Sequence, residues 1–156
     1  MRKYFKSLVP VTAFIFAGLN ASANDLDFVR ANYNKFATDK ELCKKMISDL
    51  LKLKNGSATH LAYLGALQAI WANHVFNPIS KLNTFKEGKE HIERAIKQEP
   101  NNVELRFIRL SIQKNAPSFL GYRSNVKEDT EFIIEHSSQT DPVLKKNIEL
   151  LLTIKK

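Results

Sequence analysis

Arg106, Arg109 and Gln113 are the residues in this chain best suited to chemistry. At 100° per residue they share one sector of a helix about 60° wide. Val103, Phe107 and Leu110 lie on one side of that sector, with Leu105, Ile108 and Ile112 opposite. Arginine carries a rigid fork of donors that fits a carboxylate or a phosphate, and two packed flanks would hold such a fork in place. The expectation is therefore a cationic strip that engages an acidic group on a partner, with Asn77, Lys81 and Tyr122 nearby. Against it stands pairing of the same arginines with Glu104 or other acids, which would merely tie helices together. His74, next to Asn77-Pro78, either bonds a carbonyl or lines a pocket with Asn77, Lys81 and Arg106 between the third, fourth and fifth helices.

Other chemistry is thinly represented. The chain has no Gly-x-Ser-x-Gly, Gly-rich phosphate loop, His-Glu-x-x-His or Cys-x-x-Cys motif. Its histidines, at 60, 74, 91 and 136, lack metal-ligand spacing, so neither a metal nor a cofactor is implied. His91 and His136 read as surface residues. Cys43, the single cysteine, falls beside Leu42, Met46, Ile47, Leu50 and Leu53 and reads as a buried, inert thiol. Phe119-Leu120-Gly121-Tyr122, after Pro117, is either a plug over the core or an exposed contact patch.

These residues need helices to place them. Apolar residues make up 44% and charged residues 26% of the 156, as in a globular protein. No stretch alternates persistently, so the class is all-α, with about seven helices. The first covers about Asp25–Ala37, with Leu26, Val29, Tyr33 and Phe36 on one stripe. Thr38 and Glu41 suggest a capping box for the second, which Asn55-Gly56 closes. Ser57 caps the third, and Asn77-Pro78 starts a fourth that ends at Glu99-Pro100. Asn101 or Asn102 caps the fifth, although Val-Glu-Leu-Arg-Phe also has strand character; the sixth opens at Ser124, and Asp141-Pro142 begins a last helix running to Lys155 and Lys156.

The third helix is apolar on every side from Leu61 to Ala72 apart from Gln68, which makes it the centre of the domain. Ala62, Gly65, Ala69 and Ala72 give it one narrow face for close helix contact. Along the fourth, Leu82, Phe85, Ile92, Ala95 and Ile96 form the buried stripe, with Glu90/Arg94 and Glu93/Lys97 as outer ion pairs.

The amino terminus reads as an export signal: Arg2, Lys3 and Lys6, an apolar stretch from Leu8 to Leu19, then Ala21-Ser22-Ala23 as a cleavage site. The alternative is an amphipathic first helix. Cleavage leaves residues 24–156 as one helical domain and lowers the net charge from +8 to +5 by removing those three cations. That mild, interleaved charge disfavours nucleic acid. No later segment is long and apolar enough to span a membrane. Asn55-Gly56-Ser57 forms a glycosylation triplet, relevant only in a eukaryotic secretory route.

Gly88, Ile92, Ala95 and Pro100 resemble the second helix of a tetratricopeptide repeat, in which a small residue, a large apolar one, an alanine and a proline recur at this spacing. More widely, Asn77-Pro78, Lys81, Phe85, Gly88, Ala95-Ile96, Pro100-Asn101-Asn102, Glu104, Arg106-Phe107, Arg109, Gln113 and Pro117 to Tyr122 are similar to a group of small exported helical proteins of the Bacteroidetes type. The resemblance implies export and a short array of antiparallel helix hairpins, and assigns no activity. Together these readings point to a non-enzymatic module that binds a protein or peptide partner through the arginine strip, with a small-molecule or anion binder, or an unrecognised enzyme, as the rival. A protein that only dimerises through apolar helix faces is the third alternative; oligomeric state is left open.

Overall fold

The computed structural model describes residues 19–153, with side chains from Asp25. Residues 1–18, most of the expected leader, and the terminal Lys155 and Lys156 lie outside this range. Seven α-helices follow in order: α1 (Leu19–Asn32), α2 (Lys40–Leu51), α3 (Ala58–Trp71), α4 (Pro78–Gln98), α5 (Val103–Asn115), α6 (Val126–His136) and α7 (Pro142–Thr153). Short 3-10 turns occupy 33–35, 72–74, 118–120 and 137–139, and no strand occurs among the described residues. The strand alternative for α5 is thereby settled in favour of helix.

Local chemistry sets most boundaries. The Ser57 hydroxyl accepts from the backbone of His60, whose ring accepts from the Ser57 N–H at 3.1 Å, closing a reciprocal cap on α3. Asn77 Oδ1 accepts from Ile79 N and Ser80 N, both at 3.0 Å, and Pro78 occupies the first helical position of α4. Asn102 caps α5 and Asp141 caps α7 in the same manner. Two expectations shift. Asp39, not Thr38, caps α2, because the Thr38 hydroxyl donates to the Lys35 carbonyl in the preceding turn. α6 starts at Val126, with the Ser124 hydroxyl turned to the Asn125 side chain instead of to the helix end.

The helix α3 is enclosed by its neighbours: Ala62, Tyr63, Ala66 and Leu67 are fully buried, among a run of buried residues along its length. Its tightest contact is with α4. A Cβ on Gly65 would strike the Gly88 carbonyl oxygen, and one on Gly88 would strike that of Gly65, so the two backbones meet where neither residue has a side chain. The His91 ring donates across the same crossing to Gln68 Oε1 at 2.7 Å, which makes His91 part of the α3/α4 interface and not a free surface residue.

On the other flanks, Val29, Tyr33 and Phe36 bring α1 and its 3-10 turn onto α3 and α5, with the Tyr33 hydroxyl 2.7 Å from Ser111 Oγ. α6 covers α5 through Asp129 and Ile133, and α7 closes the core with Leu144, Ile148 and Leu151. α4 departs from expectation at its start. Residues from Pro78 to Asn83 are exposed and Leu82 retains 40% of its surface, so the buried stripe begins only at Phe85.

Candidate functional site

Four of the expected site residues do come together, but in a covered place. Arg109, on α5, is 4% exposed, and its Nε and Nη2 donate to the two oxygens of the fully buried Asp129 on α6, both at 2.7 Å. Its Nη1 reaches Glu93 on α4 at 3.1 Å. Arg106 donates through Nη1 to Asp129 at 2.9 Å and Glu128 at 2.7 Å, donates from Nε to the Pro100 carbonyl, and lies over the Phe132 ring. Tyr122 donates to Glu93 at 2.6 Å. Gln113 is fully buried; its amide donates to Asn125 Oδ1 at 3.3 Å while its own Oε1 has no partner.

The arrangement corrects the expected open strip. The sector between the two apolar faces of α5 is filled by α6, whose Asp129 neutralises the arginines from inside. Burial opposes the charge on Arg109, yet the bonds to Asp129 more than offset it and hold the guanidinium even more firmly protonated than usual. Burial and the Glu93 carboxylate push the Tyr122 phenol well above its ordinary range. Arg106 holds the Glu128 carboxyl below the usual value. Glu93 therefore turns inward to Arg109 and Tyr122, not along α4 to Lys97. Glu104 belongs to a different cluster, where it accepts from Arg30 at 2.7 and 2.8 Å and from the Tyr63 hydroxyl at 2.7 Å.

The remaining expected residues lie elsewhere. Asn77 is occupied as the α4 cap. His74 ends the 3-10 turn that follows α3, with its ring against Trp71 and its Nε2 buried without a partner. Cys43 is fully buried, its thiol pushed up to about 12 by burial and then by Asp39. Lys81 lies on the wall of a cavity of about 360 Å³ between α3, the start of α4, the end of α5 and the loop after Pro117.

That cavity opens to solvent beside the exposed Leu82 and Phe119. Ile70, Leu82, Phe85 and Ile112 give it apolar walls, and Ala69, Ala72 and Ala116 provide room by being small. The loop residues divide between the two roles expected of them. Tyr122 is 3% exposed and packs edge-on against Phe85, whereas Phe119 is 85% exposed at the cavity's edge; Gly121, at φ 63°, makes the turn between them. Ile79 and Phe76, close to Leu82 in the chain, are 72% and 98% exposed. Exposed apolar residues thus gather around Lys81, a cluster that no polar motif in the sequence marks. The hint in the sequence was the row of small residues Ala69 and Ala72 facing the Pro117 loop.

Among the described residues no cluster of three or more His, Cys, Asp or Glu is placed to hold a metal, and no helix is long and apolar enough to cross a membrane. Compared with known protein families, curated proteins and solved structures, the chain matches none.

Proposed function

We propose that this is an exported binding domain that takes an apolar guest into the groove between α3, α4, α5 and the Pro117–Leu120 loop. The observation that carries this reading is the cavity of about 360 Å³. Its volume falls within the range of small-ligand sites, and its wall is apolar with Lys81, Asn73 and Asn115 as polar groups. Binding is favoured over acid–base catalysis because Lys81 is the one ionisable side chain among the lining residues. Arg106 and Arg109, by contrast, are already paired with acids of their own chain.

The test is titration with N-phenyl-1-naphthylamine, a neutral dye that brightens on leaving water. Saturable one-to-one binding is expected in the full chain, weakened at least tenfold by Leu82→Trp, which fills the groove from its exposed side. Leu51→Trp, at an exposed leucine outside the groove, leaves it unchanged. Binding that is absent, or indifferent to Leu82→Trp in a folded variant, refutes the reading.

A second reading, docking of an apolar segment of a protein or peptide partner, is favoured by the exposure of Phe76 and Phe119, large apolar side chains with little of their surface covered. It uses the same groove within a tetratricopeptide-like hairpin array. It predicts a partner that Phe76→Ala and Phe119→Ala both release and that the dye competes away.

A further inference from the structure

We propose that the guest of this groove is a small amphiphile of about a dozen non-hydrogen atoms bearing a single carboxylate, with its head on Lys81 and its apolar body along Ile70, Phe85 and Ile112. The inference rests on the groove reading and adds the chemistry of the ligand. Three observations support it.

The first is charge. Lys81 is the cation on the wall, and no aspartate or glutamate lines the cavity. Most arginines near the core carry an acid: Arg30 has Glu104, while Arg106 and Arg109 share Asp129. Lys81 forms no ion pair among the described residues, so an anion in the groove meets an uncommitted ammonium with no carboxylate to repel it.

The second is the polar surroundings of that ammonium. Asn73 also lines the groove, is exposed, and its side chain has no hydrogen bond among the described residues, so its amide can donate to a second carboxylate oxygen. Asn115, in contrast, already donates to the Ser111 carbonyl at 2.8 Å. The first turn of α4, which holds Pro78 and Lys81, contains no acid to offset the positive end of the helix.

The third is size. At roughly 30 Å³ for each group as large as a water molecule, a cavity of about 360 Å³ holds about a dozen of them. The rest of the wall is aliphatic or aromatic, which suits one polar head on an otherwise apolar body.

The experiment uses decanoate, its neutral isostere decanamide, and decyltrimethylammonium, each below its aggregation threshold, titrated calorimetrically into the full chain at low ionic strength. Decanoate is expected to bind about three- to fivefold more tightly than decanamide, the gain of an exposed ion pair. That preference disappears in Lys81→Gln and shrinks as salt is added. Equal binding of decanoate and decanamide, tighter binding of the cation, or a preference that survives Lys81→Gln overturns the proposal. If the neutral dye binds but decanoate does not displace it, the ligand chemistry fails and the groove reading stands. If neither binds, both fail.

Discussion

Replacing Asp129 should show how much of this fold depends on one buried carboxylate. Asp129 has 0% exposure and accepts three charged hydrogen bonds, two from Arg109 at 2.7 Å and one from Arg106 at 2.9 Å. Removing one member of a buried ion pair costs about 3–5 kcal/mol, chiefly because the partner charge is left without compensation. Here each guanidinium keeps one more exposed acid, Glu93 for Arg109 and Glu128 for Arg106, so the lower end of that range applies. Asp129→Leu is therefore expected to cost about 3 kcal/mol, a large part of the roughly 5–15 kcal/mol typical of a domain. Urea unfolding followed by far-ultraviolet circular dichroism measures it. The double variant Arg109→Met with Asp129→Leu removes both buried charges and should be more stable than Asp129→Leu alone. Its coupling energy in the cycle should be about 2 kcal/mol. A cost below about 1 kcal/mol for Asp129→Leu, or coupling below about 0.5 kcal/mol, would refute the view that this network locks α6 onto α5.

Two further outcomes test the core. Gly65→Ala places a methyl group against the Gly88 backbone and the His91 Cβ, 2.9 Å away, with no flexible side chain able to yield all the space. It should lower stability by about 2–3 kcal/mol or more in thermal melts, and a cost within 0.5 kcal/mol, an order-of-magnitude bound, would mean that α3 and α4 can separate freely. The Cys43 thiol, fully buried and pushed up to about 12, should react with a thiol reagent only as the chain unfolds. Because its folded pKa lies above the unfolded value, the unfolded chain gives up this proton first as alkali is added. Stability should fall as the pH rises above about 9, less steeply in Cys43→Ala, as urea midpoints over that range would reveal.

Much of the helical framework was legible along the chain. Ser57, Asn77, Asn102 and Asp141 announce their helices because a cap bonds backbone only two or three residues away. The stripe of Val29, Tyr33 and Phe36, and the burial of α3 on all sides, follow from periodicity in the same way. The candidate site was less legible. A helical wheel places Arg106, Arg109 and Gln113 in the gap between two packed faces of α5, but it says nothing of what fills the gap. Asp129 does so from another helix, 20 residues on from Arg109. Leu82 carries the pattern of a buried residue and is left partly in water because its turn of α4 has no neighbour on that side.

What was decided locally, then, is the all-α class, the caps and the apolar stripes, since each depends on groups within a turn or two of one another. Tertiary packing decided which cations are spent and which surface stays uncovered. Charges neutralise according to distance in space, so Asp129 closes the arginine seam. A cavity is the space that several helices and a loop fail to fill together, so the groove beside Lys81 belongs to no single segment.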